Sequence, residues 1–263
     1  MIHAGLQLAR RLEAAEALTG AECVEAQRRL QPALGAAVLE VAGGVAIFAG
    51  EGSPLTHAVG LGMRGPVSAA EMDRMEDFYR ERGAAISVEF CPLADPSLIE
   101  LLSERGYRVT EFNNMLVRSL AGAEFAAAET VRLAGADEEE LWARTVGRGF
   151  LEKDDLTPEE MEVGRAVWHL RGSRCYLVFS GERAAGGGAM AVNGGLATLF
   201  ADSTMMGFRG GGLQSALIRE RLRAAAGEGC DLATASTLAG SVSQRNYERA
   251  GFQVAYTKAT LIG

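Results

Sequence analysis

Chemistry is first legible in the run Arg209-Gly-Gly-Gly-Leu-Gln-Ser215, which joins a strand-like segment to an amphipathic one. Consecutive glycines let a backbone curl so that successive N–H groups point inward, and a helix starting there adds the partial positive charge of its N-terminus. Such a loop suits a diphosphate, and the Arg209 guanidinium can add a charge-assisted contact. Two other phosphate loops do not fit. A P-loop ends in Gly-Lys-Ser/Thr, whereas this one ends in Gly-Leu-Gln. A dinucleotide fold puts its glycine turn after the first strand of a parallel sheet. Metal chemistry is not expected. Cys23, Cys91, Cys175 and Cys230 are far apart and form no C-x-x-C pair, and His3, His57 and His169 lie at no ligand spacing.

The loop needs elements to hold it. Downstream, Leu213, Leu217, Ile218, Leu222 and Ala225 form an apolar stripe at helical spacing, ended by Gly227 and Gly229. Upstream, Cys175–Phe179, Ala189–Val192 and Leu196–Asp202 read as three strands, the last two joined by the hairpin signal Asn193-Gly194. Before them stand a short strand at Val131–Leu133 and helix starts at Asp137-Glu-Glu-Glu140 and Thr157-Pro-Glu-Glu160. After the loop helix come a strand at Asp231–Ser236, a capping box at Ser241-Val-Ser-Gln244, a helix stop at Gly251 and a strand at Phe252–Ile262. The order predicts a mixed α/β fold in which an antiparallel meander feeds a β-α-β crossover.

The first half reads as a weaker copy. Strands are expected at Ala37–Leu39, Val45–Phe48, Ala85–Phe90 and Tyr107–Val117, and helices at Ser68–Arg82 and Asp95–Arg105. Leu102-Ser-Glu-Arg-Gly-Tyr-Arg-Val109 parallels Tyr247-Glu-Arg-Ala-Gly-Phe-Gln-Val254: a helix ends on Gly, then an aromatic opens a strand. The expected division is therefore 1–120, an Ala-rich linker over 121–130, and 131–263. In the first copy the comparable loop is Gly62-Met-Arg-Gly-Pro-Val-Ser68, where Pro66 has no N–H to offer a phosphate.

The second half resembles the GNAT acetyltransferase superfamily. The family motif is Arg/Gln-x-x-Gly-x-Gly/Ala; Arg209 and Gly212 match it and Gln214 stands at its last position. Tyr247-Glu-Arg-Ala-Gly-Phe252 is similar to the family's Tyr-Glu-Lys-Leu-Gly-Phe. The resemblance implies tandem GNAT-like domains, each a mixed, mostly antiparallel sheet flanked by helices, with a degenerate first copy. It implies an N-acetyltransferase that takes acetyl-CoA and passes its acetyl group to a small-molecule or peptide amine. The implied cofactor contacts are Ser203, Thr204 and Met205 for pantetheine and Arg209, Gly210, Gly211, Gly212, Leu213, Gln214 and Ser215 for the diphosphate. Gln244 and Asn246 are further candidates. Tyr247 is the implied acid for the departing thiolate and Asp202 a candidate base. Glu152, Asp154 and Asp155 lie on the loop that faces the acceptor in this family. A non-catalytic acyl-CoA sensor is the alternative, and a longer acyl donor or a homodimer through the first domain fits either reading.

Composition is compatible with this. The 263 residues carry a net charge of −8, which argues against nucleic-acid binding, and 48% are hydrophobic, as in a folded protein of two domains. The first residues mix Glu13 and Glu16 with Leu8, Leu12 and Ala15 at helical spacing, unlike a signal or transit peptide, and no apolar run is long enough for a membrane span. A cytoplasmic protein with free thiols, no membrane partner and no metal is expected.

Overall fold

The computed structural model describes Ile2 and residues 4–263; His3 lies outside the described residues. In chain order the elements are α1 (Leu6–Leu30), β1 (Ala37–Val41), β2 (Gly44–Phe48), β3 (Ala58–Val59), α2 (Ala69–Arg80), β4 (Ser87–Phe90), α3 (Pro96–Glu104) and β5 (Arg108–Ser119). They continue with β6 (Val131–Leu133), α4 (Glu139–Leu151), α5 (Glu162–Trp168), β7 (Arg174–Ser180), β8 (Arg183–Asn193), β9 (Leu196–Thr204), α6 (Leu213–Gly227), β10 (Leu232–Leu238), α7 (Val242–Arg249) and β11 (Gln253–Ile262). Two compact units result. One runs to Met115 and takes back Val254–Gly263; the other is Leu116–Gln253. The division thus differs from the expected 1–120 and 131–263 at both cuts. Strand pairing, a long-range property, sets it: β11 pairs antiparallel with β4, from Ala259 opposite Phe90 to Ile262 opposite Ser87.

In the first unit, Ala42 and Gly43 both have positive φ, +51° and +76°, and turn β1 back along β2. β3 is antiparallel to β2, and β4 parallel to β3. The helix between them, α2, begins on the Ser68–Glu71 capping box and buries Met72, Met75, Phe78 and Tyr79. α3 starts on Asp95 with Pro96 at its first position. β11 brings Lys258 into this unit at 1% exposure, with Nζ 2.7 Å from Glu16, 2.7 Å from Glu89 and 3.3 Å from Glu13. The Tyr256 hydroxyl donates to Glu13 at 2.8 Å.

The second unit is an antiparallel run, β6-β7-β8-β9, with β10 added parallel to β9 and the end of β5 beside β10. The apolar stripe of α6, including Leu217, Ile218, Leu222 and Ala225, packs with Met190, Leu199, Tyr247 and Phe252. β8 extends well before the expected Ala189, through Gly186-Gly187-Gly188. Glycine is a weak strand former, and packing explains it here. A Cβ on Gly186 would come 2.4 Å from the Ser203 carbonyl oxygen, and one on Gly188 would come 2.8 Å from the Arg221 guanidinium.

Candidate functional site

The β9–β10 ladder runs from Leu196 opposite Leu232 to Thr198 opposite Thr234. Both strands continue past it, to Thr204 and Leu238, without that pairing. On its other side β9 stays paired with β8 through Thr204, opposite Gly186. One edge of β9 is therefore open over its last residues. A bulge sits in the same stretch: Gly187 faces Ser203 and Ala189 faces Phe200, so Ala201 and Asp202 together oppose Gly188. Ala201 takes φ +54° there. Such a bulge turns side chains to a new face.

The face that Asp202 reaches holds Arg221 of α6 and Tyr247 of α7. The Arg221 guanidinium donates to one Asp202 oxygen and the Tyr247 hydroxyl to the other. Arg221 is fully buried and also donates to the carbonyls of Ala189 at 2.9 Å, Leu217 at 3.2 Å and Phe200 at 3.3 Å. Burial opposes its charge, but Asp202 and Tyr247 outweigh that and hold the guanidinium protonated. Tyr247 is 1% exposed. Burial first, and the Asp202 charge second, push its phenol well above the ordinary tyrosine range. Asp202 thus has both carboxylate oxygens engaged, one by a buried cation and one by a phenol. Sequence reasoning missed Arg221, because an arginine on an amphipathic helix carries no signal that it turns inward.

Beyond β9 the chain passes Met205, whose N–H donates to Ala185 at 3.0 Å, and enters the glycine loop. Strand alternation then turns the Thr204 carbonyl to the open side, where it accepts from Arg209 Nε at 3.1 Å. The rest of the Arg209 guanidinium donates to the Gly149 carbonyl at 2.9 Å and to Glu152 at 2.7 Å. Arg209 therefore fastens the loop to the C-terminal end of α4 rather than pointing into the cradle. Glu152, at φ +55°, ends α4 in the left-handed region. Ser203 also faces α4, donating to the Val146 carbonyl at 2.8 Å. Asp154 and Asp155 are exposed on the same α4–α5 connection.

The loop itself is open. Gly210 and Gly212 have φ +81° and +77°, and a Cβ on either would meet no atom within 4 Å. Gly212 is the N-cap of α6 and supplies no side-chain cap, so the first-turn N–H groups of α6 have no side chain closing over them. These glycines serve conformation and access, not packing, and the arrangement fits an anionic group. The start of α2, in the first unit, is closed instead. The Glu71 carboxylate accepts from the Ser68 N–H at 2.9 Å and its hydroxyl at 2.7 Å, and Ser68 Oγ accepts from the Glu71 N–H at 3.3 Å.

Gln214 leaves the loop. Its carboxamide donates to Ser243 Oγ at 2.8 Å and accepts from Asn246 at 2.7 Å, tying α6 to α7. Gln244 donates to Glu248 and accepts from the Gly240 N–H, both at 2.7 Å. The four cysteines are buried and form no disulfide among the described residues. Among the described residues no group of three His, Cys, Asp or Glu is placed to hold a metal ion, and no helix is long and apolar enough to cross a membrane.

No sequence profile of a known family matches the chain, and no curated protein does. Solved structures do. The chain is similar to a GCN5-related N-acetyltransferase from Kribbella flavida over 91% of its own length and 94% of that chain, at TM-score 0.64 and 18% identity. A GCN5-related N-acetyltransferase from Sphaerobacter thermophilus matches over 87% and 75%, at TM-score 0.59 and 14% identity. A tandem GNAT protein from the clavulanic acid biosynthesis pathway matches over 74% and 68%, at 0.54 and 13%. The chain carries the GNAT fold.

Proposed function

We propose that the second unit of this GNAT-fold chain binds acetyl-CoA and transfers its acetyl group to an amine by direct attack. The observation that carries the reading is the uncapped start of α6, at the end of an open glycine loop and beside the free edge of β9. The N–H groups of Gly210, Gly211, Gly212, Leu213, Gln214 and Ser215 would hold the diphosphate. The edge at Ser203, Thr204 and Met205 would pair with pantetheine as an added strand does; the Met205 N–H is already given to Ala185, so the backbone N–H that would polarise the thioester carbonyl is that of Thr204. Tyr247 keeps its proton throughout the working pH range. It would exchange Asp202 for the sulfur as charge grows there, stabilising the leaving thiolate by a hydrogen bond. Asp202 and Arg221 set that phenol in place. The amine, on a small molecule or a peptide, has to lose a proton, and the exposed carboxylates of Asp154 and Asp155 are the base candidates on the acceptor side. No metal takes part in this scheme, and a cytoplasmic setting belongs to the same proposal.

Titration calorimetry of acetyl-CoA into the wild type and Gly212→Asp tests the donor site. Gly212→Asp introduces a carboxylate into the cradle at a left-handed position, and circular dichroism checks that it stays folded. Saturable binding lost in the variant is expected. No binding by the wild type overturns the reading, and equal binding by both removes the donor from this loop. The engagement of Asp202 by Arg221 favours a second reading, an acyl-CoA sensor without chemistry. Thiol release with a panel of amines separates the two.

A further inference from the structure

A cavity of about 510 Å³ opens in the first unit between α1, the β1–β2 turn, the loop after β3 and the start of α2. We propose that it binds a small amphipathic oxyanion, a carboxylate or phosphate ester whose apolar body enters and whose charged group stays at the rim. The lining includes the small apolar side chains of Ala17, Val41 and Val45. The rim carries three guanidinium groups, from Arg10, Arg64 and Arg74. Arg10 is steadied by a hydrogen bond from Nε to the Met63 carbonyl at 2.7 Å. Arg64 passes close to the β1–β2 turn, where only a glycine at 43 leaves room, since a Cβ there would come 3.0 Å from the Arg64 Cβ. Neither Arg64 nor Arg74 makes a hydrogen bond or an ion pair among the described residues.

The carboxylates at the cavity cancel this charge only in part. Glu71 accepts from the Ser68 N–H and hydroxyl, and these bonds, with a smaller contribution from the Arg74 charge, hold its carboxyl below the usual range. Glu13 turns its carboxylate inward to Tyr256 and Lys258. Glu40 is left against three arginines. Recognition here uses guanidinium forks and not a helix start, because α2 is closed by its own capping box. The volume lies within the range of small-molecule sites.

The test is titration calorimetry with phenyl phosphate and phenylacetate, and with benzyl alcohol as the uncharged control. The proteins are the full chain, Arg64→Ala/Arg74→Ala and Gly212→Asp. The expected result is saturable binding of at least one anion, weakened about tenfold or more in the double variant and unchanged in Gly212→Asp. Which anion binds more tightly assigns phosphate or carboxylate. Both substituted arginines are exposed, so the double variant should melt as the wild type does. Three results would overturn the proposal: no saturable anion binding, equal binding of benzyl alcohol, or equal binding by the double variant. Loss in Gly212→Asp alone would move the anion to the second unit.

Discussion

Tyr247 donates its only proton to Asp202, so a thiolate can claim it only in competition with a carboxylate. Tyr247→Phe removes the donor while leaving the ring packed edge-on against Phe252 at 5.0 Å between centroids. The turnover number should fall about ten- to a hundredfold with acetyl-CoA affinity unchanged, measured by thiol release and calorimetry. A parallel loss of stability with unaltered turnover would mean that the phenol only packs. Glu152 offers a second residue-scale measurement. It competes with any phosphate for Arg209, so Glu152→Gln should tighten acetyl-CoA severalfold, with the gain fading as salt rises. These side chains were unequally legible. Glycine at 210 and 212 was readable because few residues tolerate positive φ. The pairing of Arg209 with Glu152, fifty-seven positions away, was not, and neither was the inward turn of Arg221.

Elements were legible wherever local chemistry sets their ends. Thr157 and Ser241 cap the turn that follows, as their spacing predicts, whereas α4 starts after Glu138 with no side-chain cap and not on the expected Asp137. The short β3 and the glycine half of β8 escaped, because their strand character comes from neighbours and not from β-formers. The α4–β9 contact shows the same dependence. A Cβ on Gly149 would lie 1.9 Å from Ser203 Oγ and 3.0 Å from the Thr204 carbonyl carbon. Gly149→Ala should therefore push α4 off the strand that offers the pantetheine edge. We expect a loss of about 1–3 kcal/mol by denaturant titration and weaker acetyl-CoA binding. Ser68→Ala in α2 should cost about 1 kcal/mol and leave acetyl-CoA binding unchanged.

At the scale of the molecule, the ionic cluster on β11 sets a pH dependence. Burial raises Glu16 to about 7 against Lys258, while Lys258 and His57 overcome burial and lower Glu89 to about 2. A carboxyl raised on folding loses stability as pH climbs from its unfolded value, 4.5, through 7. A lowered one loses stability as pH falls from 4.5 through 2. Both contributions are fullest near pH 4.5, where the first unit should be most stable, and Glu16→Gln should flatten the decline toward neutrality in thermal melts taken from acid to neutral pH. Lys258→Met would leave buried carboxylates facing one another and should cost about 3–5 kcal/mol. The sequence predicts two copies by element order, but the strand expected to close the second copy, β11, belongs to the first unit. It could not show where β11 goes, since a strand's partner is chosen by the sheet and not by the strand.

The return of Val254–Gly263 to the first unit bears on biosynthesis. A ribosome delivers the chain in order, yet the first unit cannot complete its sheet or neutralise its buried glutamates until the closing strand emerges. At usual translation speeds the roughly 140 intervening residues impose a wait of about 7–28 s, during which β4 is an open edge. The second unit, contiguous in the chain, can mature first. Vectorial folding is thus reversed here: the half made earlier is the half finished last, and it is the one exposed to chaperones and proteases in the interval.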